Sequence, residues 1–102
     1  MEVRIGSISF NRHRDDGPRN LTTEVIFSGP VTQAAAMVRG FDVGFSPRDD
    51  HHLGNLEVRL EATIDPLAPQ RVNVEAVFGL RDWSGDWDDN YEGEIFFTVI
   101  GE

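Results

Sequence analysis

Hydrophobic residues in this chain recur at every second position, and that period restricts the fold more than any other feature. In "NLEVRLEATI", Leu56, Val58, Leu60, Ala62 and Ile64 alternate with Glu57, Arg59, Glu61 and Thr63. Such alternation puts the two sets on opposite faces of an extended strand. "RVNVEAVFGL" repeats the scheme with Val72, Val74, Ala76, Phe78 and Leu80 facing inward. "YEGEIFFTVI" buries Ile95, Phe97 and Val99, but its other side carries Phe96, Thr98 and Ile100, so it is apolar on both faces. "EVRIGSISF", "LTTEVIF" and "VTQAAAMVRGFDVGF" complete a set of six extended segments. "QAAAMVR" has some helical propensity, but it is short for a helix and "FDVGF" resumes alternation at once, so strand is expected throughout.

Between these segments lie "NRHRDDGPRN", "SGP", "SPRDDHHLGN", "DPLAPQ" and "DWSGDWDDN", all rich in turn-forming residues. Strands at this spacing, without a convincing helix, predict an all-β fold, either an antiparallel β-sandwich or a small barrel. A length of 102 residues suits one domain spanning 1–102.

The formal charge of −9 argues against nucleic acid as a partner, since nine basic residues face eighteen acidic ones. It argues equally against anionic membrane surfaces. The chain has no cysteine, which excludes disulfides and thiol chemistry. "MEVRIGSISF" lacks the basic and apolar regions of a signal peptide, and no apolar run approaches the ~20 residues of a membrane span. The expectation is a cytoplasmic protein by default, or one exported without a signal.

Enzyme signatures are missing: His13, His51 and His52 fall in expected loops, and no serine has a nucleophile-elbow context. The chain is therefore expected not to be an enzyme. "RDDHH" (Arg48 to His52) offers metal-ligand types, but adjacent side chains converge poorly on one ion, and a solvated loop accounts for it better. "DWDDN" places oxygen ligands at Asp86, Asp88 and Asn90, the opening spacing of a calcium loop. Tyr91 and Phe97 then stand where that loop needs glycine and glutamate, which excludes an EF-hand. An irregular calcium site on Asp86, Asp88 and Asn90 stays open; no other cofactor is implied.

Both tryptophans, Trp83 and Trp87, lie in "LRDWSGDWDDNYEG" with the only tyrosine, Tyr91. An indole in a loop either folds back as a lid on the core or offers a platform for the C–H face of a sugar ring. Neighbouring carboxylates would then accept bonds from the sugar hydroxyls. Trp87, flanked by Asp86 and Asp88, fits the second description.

Several pieces, taken in order, resemble the H-type lectin family: "VRIGSISF" followed by a long loop, "FSGP", "FDV", "NLEV" and the closing "DWDDNYEGEIFFTVI". That resemblance covers nearly the whole chain as layout. It implies a six-stranded antiparallel β-sandwich that binds carbohydrate at subunit boundaries of a trimer. Carried over residue by residue, it implies ligand contacts from Asp16 and Gly17 of the first loop and from Trp87 and Tyr91 of the last hairpin. Asp88 falls where the family has histidine. Arg59 is the counterpart of a basic residue on the central strand, offset by about two places, which keeps its face.

Self-association has a separate basis. Phe96 and Ile100 on the second face of the last strand would leave an apolar patch on a monomer, or be covered by another segment of the same chain. Two readings follow: a lectin-like carbohydrate-binding domain, and a non-catalytic structural or assembly β-sandwich that binds calcium or nothing.

Overall fold

A computed structural model of the chain describes every residue except 14–16, 47–51, 86, 88 and 89, and the side chain of His13. The described residues form six strands and no helix: β1 (Glu2–His13), β2 (Arg19–Ile26), β3 (Ala34–Phe45), β4 (Leu53–Ile64), β5 (Arg71–Asp82) and β6 (Tyr91–Gly101). They make two three-stranded sheets, ordered β1-β6-β3 and β2-β5-β4. Every pairing is antiparallel. β1 packs near β2 and β3 near β4, so the two sheets lie face to face as a sandwich. Among the described residues no helix is long and apolar enough to cross a membrane.

The core follows from the alternation. β5 is central in its sheet, and Val72, Val74, Ala76 and Phe78 are completely buried, with Leu80 at 5% exposure. Opposite them, Ile95, Phe97 and Val99 of the central β6 are buried to the same degree. Each of these side chains other than Ala76 stabilises the sandwich by about 1.5–3 kcal/mol relative to an exposed position. The inward set of β4 is only half-buried, because β4 is an edge strand with a neighbour on one side alone. "QAAAMVR" is extended, as its return to alternation requires, although β3 begins at Ala34 rather than at Val31. The Val31 N–H donates to the Pro69 carbonyl at 3.1 Å, so the chain is still anchored to the β4–β5 turn there and has not joined the ladder.

β1 runs past Phe10 to His13, farther than its alternation indicates. The cause is the start of β6: Tyr91 pairs with His13 on one side and with Phe45 on the other, and the β1 register shifts between Phe10 and His13 to reach it. That arrangement gathers three connections at one end of the sandwich, those after β1, after β3 and after β5. The opposite end holds both termini, the β2–β3 connection and the β4–β5 turn.

Candidate functional site

The end with the three connections is assembled around the β5–β6 hairpin. Asp82 closes β5 and turns the chain: its carboxylate accepts the Ser84 N–H at 3.0 Å and the Ser84 hydroxyl, and its carbonyl accepts the Gly85 N–H at 3.3 Å. Buried and engaged in this turn, Asp82 is structural. Next to it the Trp83 N–H donates to the His52 carbonyl at 3.2 Å, which fixes the β3–β4 connection to the hairpin. Gly54 permits the approach, because a Cβ there would stand 2.3 Å from the Asp82 carbonyl oxygen. The Ser46 N–H, bonded to the Asn90 carbonyl at 2.9 Å, supplies a second tie between the same two connections.

The first connection is held by Tyr91. Its ring is fully buried, edge-on to Phe78 at 5.1 Å and 87°, and its hydroxyl donates to the Gly17 carbonyl at 3.0 Å. Arg19 covers the same ring, with its guanidinium carbon 4.4 Å from the centroid. It donates to the Tyr91 carbonyl at 2.7 Å and to the Asn11 carbonyl at 2.8 Å, and so spans from β6 to the end of β1. All three connections are thereby joined through backbone carbonyls.

The two tryptophans have different environments. Trp87 is half-buried, packed on the core, with its ring 6.2 Å from Tyr91 and the Arg81 guanidinium 5.5 Å from its centroid. It also lies over Gly79, where a Cβ would meet the indole at 2.9 Å and Pro18 at 3.1 Å. Trp83 is 76% exposed. Sequence reasoning gave the platform role to Trp87, for its flanking Asp86 and Asp88; in the structure Trp83 is the more exposed of the two.

The remaining expected site residues separate. Tyr91 and Gly17 are brought together, but Tyr91 is buried and acts as a fastening, not as a surface for a ligand on the single chain. Arg59 is not at this end. It sits on the outer face of β4, paired with Glu57 at 2.7 Å, six residues from Leu53 and thus roughly 20 Å along the strand. Asp16, Asp86 and Asp88 lie outside the described residues, as does most of "RDDHH", so of the expected calcium set only Asn90 is placed. Among the described residues no group of three or more His, Asp or Glu side chains is positioned for a metal ion. Arg19 and Arg81 were missed. Arg19 was within reach of the pattern, because it takes the first inward position of β2, ahead of Leu21, Thr23 and Val25.

No family model, curated protein or solved structure matches this chain. Fold and site together define a class and no narrower group: an all-β protein of two three-stranded antiparallel sheets, with an aromatic rim at one end.

Proposed function

We propose that this protein is a non-catalytic carbohydrate-binding domain, lectin-like in use, which takes a sugar ring at the rim formed by its three joined connections. The observation that carries the proposal is the 76% exposure of the Trp83 indole at that rim. A large apolar ring held open to water is unfavourable unless something covers it, and the C–H face of a pyranose is a matching partner. Trp83 is the platform. Trp87, Tyr91 and Arg19 set the shape beneath it, and the loop aspartates by sequence (Asp16, Asp86, Asp88) supply acceptors for sugar hydroxyls. Hydroxyl recognition by a few fixed acceptors needs no metal. A single shallow site of this kind binds weakly, and self-association would raise its avidity.

A glycan array probed with the wild-type protein and with Trp83→Ala tests this. Binding by the wild type, lost in the variant while the melting temperature stays unchanged, supports the proposal. An array without any bound glycan, or binding that survives Trp83→Ala, refutes it.

A further inference from the structure

Arg81 is a half-buried cation without a counter-charge. Among the described residues its guanidinium makes no ion pair and no hydrogen bond; it lies against the Trp87 ring, and its buried Nε has no acceptor. The other two half-buried arginines that the structure describes are served. Arg4 donates to Glu2 and to the Ile26 carbonyl, and Arg19 to the Asn11 and Tyr91 carbonyls. Arg39 also lies over a ring, that of Phe96, but it is exposed and water serves it. The described carboxylates next to Arg81 are engaged elsewhere. Glu57, outward on β4, is held by Arg59 at 2.7 Å, and Asp82 binds Ser84. Arg81 has thus given up part of its water without gaining an acceptor.

The ladder sets this cation beside the exposed indole. Val77, Gly79 and Arg81 take outward positions of β5, and Asn55 stands directly opposite Arg81. The Trp83 N–H, donating to the His52 carbonyl at 3.2 Å, carries the β4–β5 pairing one step past Asp82. Trp83 therefore keeps the phase of Arg81, two residues on and roughly 7 Å away. A sugar ring lying on Trp83 brings a substituent at its edge to Arg81, with the exposed Asn55 amide alongside.

We infer that the glycan taken at this rim is an acidic one, whose carboxylate or sulfate accepts N–H bonds from Arg81 while its ring covers Trp83. This rests on the reading of the rim as a carbohydrate site and names the class of sugar it takes. A guanidinium presents paired N–H groups that match the oxygens of an oxyanion, and such charge-assisted bonds are the strong ones. An oxyanion offsets the lost water of Arg81, and a neutral hydroxyl does so only in part. A net charge of −9 repels every anion at long range, so the preference comes from this contact, and the repulsion slows association instead.

A glycan array carrying uronate-containing, sialylated, sulfated and neutral glycans tests the inference, with each acidic member present also as its methyl ester or desulfated form. Wild type, Arg81→Gln and Trp83→Ala are compared on it. The wild type should bind acidic members at least about tenfold more tightly than their neutralised forms. Arg81→Gln should abolish that preference, Arg81→Lys should keep part of it, and Trp83→Ala should lose binding to both forms. Binding confined to carboxylates, or to sulfates, names the source of the oxyanion and supports the inference either way. Neutralised forms bound as well as acidic ones, or a preference that survives Arg81→Gln, would overturn it while leaving the carbohydrate site standing. An array with no bound glycan would overturn both. The comparison of acidic and neutralised glycans uses the wild-type chain, so it decides the matter even if Arg81→Gln proves unstable.

Discussion

Replacing Tyr91 with Phe isolates the tie between the first connection and the hairpin. The ring is fully buried against Phe78, and Phe keeps that packing. What is lost is the hydroxyl that donates to the Gly17 carbonyl at 3.0 Å, with the Phe78 carbonyl a more distant acceptor at 3.5 Å. A hydrogen bond of this kind contributes about 1 kcal/mol net, and up to ~3 kcal/mol if its partner is left buried and unpaired. Gly17 is only half-buried, so water can take over its carbonyl and the cost should fall near the lower figure. For a domain of this size 1 kcal/mol corresponds to a melting-temperature drop of about 4–8 °C. Differential scanning calorimetry measures it directly. Hydrogen exchange should show faster exchange at Gly17 and Arg19, with β5 unchanged. A melting temperature within about 1 °C of wild type would mean that the bond does not hold the connection, and the description of the site as a joined rim would be wrong.

Other substitutions test other links. Gly79→Ala should push the Trp87 indole away, costing about 1–3 kcal/mol and shifting tryptophan emission; unchanged emission would argue against the 2.9 Å approach. Phe78→Ala should cost about 3–5 kcal/mol in urea denaturation, a large share of the ~5–15 kcal/mol of a typical domain. At the opposite end, the hydroxyl of Ser28 is the main cause that holds the Glu2 carboxyl below its ordinary value, with its N–H and Arg4 adding to the effect. A carboxyl lowered in the folded state stabilises above its unfolded value of ~4.3, and that contribution is lost as pH falls through the folded value. Melting curves across this range should therefore show Glu2→Gln less stable than wild type near neutrality, with the gap closing in acid; a constant gap would contradict the assignment.

The parts of the molecule that were legible in the sequence are those where one face of a strand meets the core. Val72 to Leu80 and Ile95 to Val99 announce themselves because a central strand is covered along its whole length, so alternation and burial coincide. The apolar second face of β6 was legible for a different reason, because Phe96 and Ile100 stand where alternation would place polar residues. Edge and end positions were less so. Asn11 to His13 carry no alternation, and only the need to pair with Tyr91 extends β1 that far. The flanking Asp86 and Asp88 distinguished Trp87 from Trp83 in the sequence, but they carry no information on which indole packs on the core. What separates them is the missing side chain at Gly79, which leaves a bed for Trp87 and none for Trp83. Arg59 was assigned by resemblance at an offset of about two places, and strand phase fixes its face but says nothing of its height along the sheet.

The most direct test of the central claim is a fluorescence titration of the Trp87→Phe variant, which leaves Trp83 as the sole indole. With a glycan bound by the wild-type protein, the account predicts a saturable change in intensity and a blue shift, as the sugar displaces water from the ring. An emission spectrum that stays constant while the glycan still binds would show that the sugar does not sit on Trp83.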